Sequence, residues 1–202
     1  VAEALAAWLD HAAPDLAVTT LYNYRRMVER DINPTLGRVK LAKLTPAMLD
    51  RFYGQLRSDL SPKSIRNVHA VLRRALKQAQ RWGWIASNPA LLATPPRVPR
   101  SEIHPPGRDE VAAFAAKLAN SDPDLGALVW LAAVTGARRG ELCGLRWGDL
   151  DTSTGTLLTE RSVVQIGGQA IVKSTKTHQA RRIALDTSTL EVLQRHRQRL
   201  DE

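Results

Sequence analysis

The sequence predicts a mainly α-helical chain with a small β-sheet, built as a helical domain followed by a mixed α+β domain. Three observations carry this prediction. Apolar residues recur at three- and four-residue spacing through much of the first ninety positions. A proline-rich stretch (Pro95, Pro96, Pro99, Pro105, Pro106) then excludes helix between Leu92 and Gly107. Beyond it, β-branched runs around Gly167-Gly168 sit among further helical segments. The expected boundaries are a helical domain over 1–92, a linker over 93–106 and a second domain over 107–202.

The elements follow in order. A first helix is expected over Val1–His11, with Leu5, Trp8 and Leu9 on one face. Thr19 and Thr20 are plausible N-caps for a second helix through Tyr24 and Met27. Ile32 to Leu44, with Pro34 and Gly37, reads as a connection. Thr45-Pro46 and Ser61-Pro62 each carry the cap-then-proline signature of a helix start. The first should run to about Ser58. The second should be the longest helix and end near Trp82-Gly83, with Ile65, Val68, Leu72, Leu76 and Ala79 forming its apolar stripe. In the second domain, helices are expected from Arg108 to Ala119 and from Asp124 to Val134. A turn and a short helix reaching Trp147 come next. Thr156–Ile166 and Gln169–Lys173 should form one hairpin about Gly167-Gly168. A strand over Arg181–Leu185 and a helix capped by Asp186 to Ser188, running to Leu200, complete the reading.

The 202 residues are 44% hydrophobic and 24% charged, an ordinary globular composition. No apolar run approaches a membrane span, no secretory signal opens the chain, and no membrane partner is expected. The one cysteine, Cys143, excludes an internal disulfide and a cysteine-based zinc cluster and fits a reducing cytoplasm. Val1 is not an initiator methionine, so a longer parent protein is expected. The net charge of +9 points to a polyanionic partner. Residues 1–92 hold 14 Lys/Arg against 7 Asp/Glu, whereas residues 93–202 hold 15 against 13. Lys63, Arg66, Arg73, Arg74, Lys77 and Arg81 fall on one expected helix with no acid among them. A solvated helix face usually mixes signs, which favours nucleic acid contact here.

Two motifs carry chemistry. The first is Thr135-Gly-Ala-Arg138-Arg-Gly-Glu141-Leu-Cys-Gly-Leu145-Arg-Trp147-Gly-Asp149-Leu-Asp151; the second is Lys176-Thr-His-Gln-Ala-Arg181-Arg-Ile-Ala-Leu185. In order and spacing they resemble the arginine box and the lysine hairpin of the tyrosine recombinases, the phage-integrase family. Ser64 to Lys77 and Trp82 to Pro89 are similar to that family's SAM-like core-binding domain. The resemblance spans essentially the whole chain. It implies a core-binding domain followed by the front part of a mixed α+β catalytic domain.

By this resemblance Arg138 is the catalytic arginine, Glu141 the acid supporting the site, and Lys176 the proton donor to the leaving 5′ oxygen. Lys173 is the fallback for Lys176. Arg139 reads as a local ion-pair or phosphate-neighbour residue. A glutamate in a first helical turn is also favoured by the helix dipole, which is the plain alternative for Glu141. An arginine's planar fork suits the non-bridging oxygens of a phosphoryl transition state, and a lysine beside other cations can serve as general acid. No cofactor or metal is implied. Lys63, Ser64, Arg66, Arg73, Arg74 and Lys77 are the expected DNA contacts.

The resemblance further implies double-stranded DNA as partner, a tetramer on two DNA sites, and a cytoplasmic, nucleoid-associated location. It implies site-specific recombination through a 3′-phosphotyrosyl intermediate in the full-length protein. The family's second box and nucleophilic tyrosine have no counterpart here. Tyr22, Tyr24 and Tyr53 all lie in the first domain, and His196-x-x-Arg199 follows Lys176 too closely. The chain is therefore expected to be a catalytically incomplete fragment or truncated form that binds DNA without cleaving it. The alternatives are a non-catalytic regulator occupying recombination sites and, less well, an RNA-binding or structural helical protein. Trp82, Trp84, Trp130 and Trp147 are expected in the core, and His69 and His178 as structural or incidental residues.

Overall fold

The computed structural model describes residues 1–100, 102–174 and 179–201. They form two compact units, Val1–Glu102 and Ile103–Glu202. The mainly helical architecture with small antiparallel sheets agrees with the sequence reading.

The first unit contains α1 (Ala2–Ala12), α2 (Val18–Met27), the short α3 (Asn33–Leu36), α4 (Pro46–Gln55) and α5 (Pro62–Arg81). Thr45 and Ser61 cap α4 and α5 as expected, their hydroxyls accepting from the Met48 and Ser64 N–H groups. The expected caps of α2 do not hold. That helix begins at Val18 behind Ala17, which has no capping side chain, so Thr19 and Thr20 lie inside it. The stretch read as a connection is more regular than its Pro34 and Gly37 suggest. A π-helical turn, Val28–Ile32, runs into α3, because proline is tolerated in a first helical turn. Leu5, Trp8, Ile32, Leu49, Phe52, Ile65, Val68 and Leu72 pack into one core. The proline-rich stretch also contributes to this unit. Ala93 is buried in the core, and the Thr94 N–H donates to Asp50 Oδ1 at 2.6 Å.

In the second unit, α6 (Arg108–Ser121) and α7 (Pro123–Thr135) pack together, and α7 also packs on α9 (Thr187–Asp201). Between α7 and α9 lie α8 (Arg139–Leu142) and the strands β1 (Leu150–Asp151), β2 (Thr156–Thr159), β3 (Arg161–Ile166), β4 (Gln169–Ser174) and β5 (Arg181–Ala184). The expected single strand over Thr156–Ile166 is in fact two strands in two sheets. β2 is the middle of an antiparallel sheet ordered β1-β2-β5, with Leu157 opposite Ile183. β3 and β4 make a separate hairpin with Val163 opposite Val172. Nothing in that run marks the break at Glu160, because no glycine or proline interrupts the β-formers. The hairpin turn is as expected, with Gly167 and Gly168 at φ of 57° and 85°.

None of the four expected core tryptophans is fully buried: Trp82 packs half-buried against the first core, and half-buried Trp130 donates to Thr189 Oγ1 at 3.1 Å. Trp84 is 48% and Trp147 36% exposed, and each lies tilted against a neighbouring ring, Trp82 and His196. No helix among the described residues is long and apolar enough to cross a membrane.

Candidate active site and nucleic-acid interface

The site in the second unit begins with the turn that ends α7. Gly136 closes the helix in the left-handed region at φ 60°, where a Cβ would be strained. Thr135 fixes the same turn. Its hydroxyl donates to the Leu131 carbonyl at 2.5 Å and accepts from the Ala137 N–H at 3.2 Å. The turn thus ends α7 and delivers Arg138 to the N-cap of α8. Gly140 lets α8 lie on β3, since a Cβ there would stand 2.6 Å from Ser162 Oγ and 2.8 Å from the Val163 carbonyl oxygen.

Glu141 is buried at 3% side-chain exposure, yet both its oxygens are engaged. Oε1 accepts from Arg138 Nη1 at 2.8 Å. Oε2 accepts from the Arg138 N–H at 3.0 Å and from Arg181 Nη2 at 2.6 Å. Burial pushes the Glu141 carboxyl up, but the Arg138 N–H and the two guanidinium groups together hold it below the ordinary carboxylate value. The group therefore stays ionised and fixes Arg138, whose side chain remains 57% exposed. An arginine anchored on one side and open on the other is arranged to receive an anion.

The rest of the first motif is structural. Asp149 accepts from the Arg146 N–H at 2.8 Å and pairs with Arg161. Asp151 accepts from Ser153 and Thr154, hydrogen bonds that hold its carboxyl down at about 2. Arg139 is exposed in the first turn of α8, and Lys173 is half-buried on β4 opposite Ser162. Lys176 and His178 lie outside the described residues. His196 and Arg199 both pair with Asp124 of α7 and so tie α9 to it. Among the described residues, no group of three His, Cys, Asp or Glu side chains is placed to hold a metal.

Sequence reasoning did not assign Arg181 a role. Only its place in an Arg-Arg pair behind the lysine motif marks it in the sequence, because its partner Glu141 lies forty residues away.

The second set of residues lies on α5. Its stripe of Ile65, Val68, Leu72, Ala75, Leu76 and Ala79 is buried, while Lys63, Arg66, Arg73, Arg74, Lys77 and Arg81 are exposed. At 3.6 residues per turn these six cations span about 100° of the helix, opposite the core. Arg74 is partly occupied. Its guanidinium lies over the Tyr24 ring, 5.8 Å from the centroid, and donates to the Tyr24 hydroxyl. Ser64 is half-buried and hydrogen-bonds Ser61 Oγ at 3.0 Å, so it belongs to the cap. His69 faces the core side, 2.9 Å from the Tyr53 hydroxyl, and burial with nearby Arg73 and Arg66 lowers its pKa. Asn88 donates to the Arg73 carbonyl at 3.0 Å and staples the following segment to α5.

Residues 1–57 match the phage integrase N-terminal SAM-like domain, and residues 108–201 match the phage integrase family. The chain belongs to the phage-integrase, or tyrosine recombinase, family. It is 28% identical over 207 residues to an integrase of Streptomyces ambofaciens, covering 97% of this chain and 51% of that protein. It is 30% identical over 164 residues to the tyrosine recombinase XerC of Xanthomonas campestris pv. campestris, covering 75% of this chain and 50% of the other. The chain thus spans about half the length of these relatives. Its fold is shared with the Tn1549 transposon integrase, solved in complex with a circular intermediate DNA. The TM-score is 0.81 at 19% identity, over 96% of this chain and 63% of the other.

Proposed function

We propose that this chain is the DNA-holding, phosphate-activating part of a site-specific recombinase. The exposed cations of α5 neutralise backbone phosphates of duplex DNA, with Lys63, Arg66, Arg73 and Lys77 the leading contacts. Arg138 holds the non-bridging oxygens of the phosphate to be broken, and Glu141 fixes Arg138 in place. In the whole protein a tyrosine oxygen attacks that phosphorus, and the 5′ oxygen leaves with a proton from Lys176. A partner strand's 5′ hydroxyl then displaces the tyrosine. A tetramer on two DNA sites and association with the nucleoid belong to the same reading. The observation that carries it is the open guanidinium of Arg138 anchored on a buried, ionised Glu141.

The 202 residues themselves are proposed to bind without cleaving. Tyr53 is buried against His69, Tyr24 stacks on Trp8 and takes the Arg74 hydrogen bond, and Arg26 lies over Tyr22. None of the three is in the unit that carries Arg138. The test is a salt titration of duplex DNA binding with a parallel assay on a nicked suicide substrate. Lys77→Ala should reduce the slope of log K against log salt by about one without altering sequence preference. Arg138→Ala should leave overall affinity nearly unchanged, since one contact among many is lost. An unchanged slope in Lys77→Ala would remove α5 from the interface, and a covalent protein–DNA adduct would refute binding without cleavage.

A further inference from the structure

We propose that Arg181 is a positioning residue for Arg138, acting through the carboxylate of Glu141 that the two arginines share. This rests on the reading of Arg138 as the phosphate-holding group. The geometry is a bridge between three elements. Arg181 opens β5, its Nη2 donates to Glu141 Oε2 of α8 at 2.6 Å, and its Nε donates to Thr159 Oγ1 of β2 at 3.2 Å. Thr159 is 1% exposed, and its hydroxyl donates back to the Arg181 carbonyl at 3.2 Å. Arg181 is thereby held at both ends, and a carboxylate that accepts from it on one oxygen cannot rotate freely about the bond to its chain.

That restraint passes to Arg138. Glu141 touches Arg138 through both oxygens, one on the backbone N–H and one on Nη1. If Glu141 turned, it would keep at most one of these contacts, and the exposed part of the Arg138 fork would lose its fixed direction. A fork aimed in advance loses less entropy when it meets an anion. Charge points the same way. Two guanidinium groups on one carboxylate leave a net positive charge at the site, and Arg181 helps keep Glu141 ionised while Arg138 meets its anion.

The test uses the 202-residue chain labelled with ¹⁵N and with ¹³C at the glutamate carboxyl carbons. Inorganic phosphate is titrated in while the Arg138 Nε–Hε signal is followed, and the Glu141 signal is followed separately against pH. Arg181→Gln should weaken the apparent phosphate affinity at Arg138 roughly tenfold, the loss expected for one charged hydrogen bond. It should also raise the Glu141 midpoint. Arg181→Lys should fall between the two, since one ammonium keeps the charge but cannot serve Glu141 and Thr159 together. Amide signals of the β2–β5 pairs report whether the fold survives. If Arg181→Gln does not fold, Arg181→Lys alone decides. Phosphate binding at Arg138 equal to wild type in the folded variants would overturn the positioning role and leave the proposed function standing. An Arg138 signal that ignores phosphate in the wild-type chain would instead overturn the proposed function, and this inference with it.

Discussion

The two units solve the same problem of stability by different means. The first closes a broad apolar core, with Ile32, Leu49, Ile65 and Leu72 fully excluded from solvent. The second has a small core of Leu131, Ala137, Leu142, Leu157 and Leu193 among its described residues. Leu125 and Trp147 stay exposed at a cleft of about 640 Å³ lined largely by leucines. What fixes the second unit is polar: Glu141 between two arginines, Asp149 with Arg161, and Asp186 accepting from the Thr189 N–H at 2.8 Å. Apolar burial tolerates changes of salt, whereas ion pairs give direction at the expense of that tolerance. The unit in which Glu141 fixes the Arg138 guanidinium is the one that relies on them.

The comparison breaks most visibly if one leucine is removed from each unit. Leu72→Ala should cost the first unit about 3 kcal/mol in denaturant unfolding. Leu125→Ala, at a site 41% exposed, should cost the second less than about 1 kcal/mol. Equal losses would mean that the cleft is packed like a core. Glu141→Gln should destabilise the second unit by about 2 kcal/mol, because two charge-assisted contacts weaken around a buried group whose partners are half in water. The first unit's transition should not move, as amide exchange on each unit can show.

Acid sharpens the contrast. His69 is held below its ordinary value of 6.5, so the first unit's contribution from it is complete above that pH and is lost as pH falls through the lowered value. Glu141 and Asp149 are depressed carboxylates. Their contribution is complete above the ordinary carboxylate range near about 4 and is lost as pH falls through their lowered values. Two-dimensional NMR should therefore show the first unit weakening before the second on acidification. The reverse order would mean that the Glu141 network is not formed in solution. Thr45→Ala should cost about 1 kcal/mol, confined to the first unit, from the lost cap of α4.

These contrasts also explain what could be read in advance. α5 was legible to within a residue, because a serine cap, a proline and an apolar stripe agree on its start and its face. The sequence does not separate β2 from β3, because the break at Glu160 is set by which partner each strand finds. The exposure of Trp84 and Trp147 is not legible in the sequence, because a large aromatic ring can cover neighbouring rings as well as fill a core. Arg138 and Glu141 were legible as a local motif. The hold of Arg181 on Glu141 was not, since a contact across forty residues exists only once β5 has paired with β2.

The β3–β4 hairpin has a practical consequence. β2 pairs directly with β5, so the hairpin is a loop-out between two strands that do not need it for their register. At its tip, a side chain added at Gly167 or Gly168 would meet no atom within 4 Å. A reporter tag or small domain could be spliced between these glycines while both sheets keep their pairing. The fold thus offers an entry point for watching this protein at work.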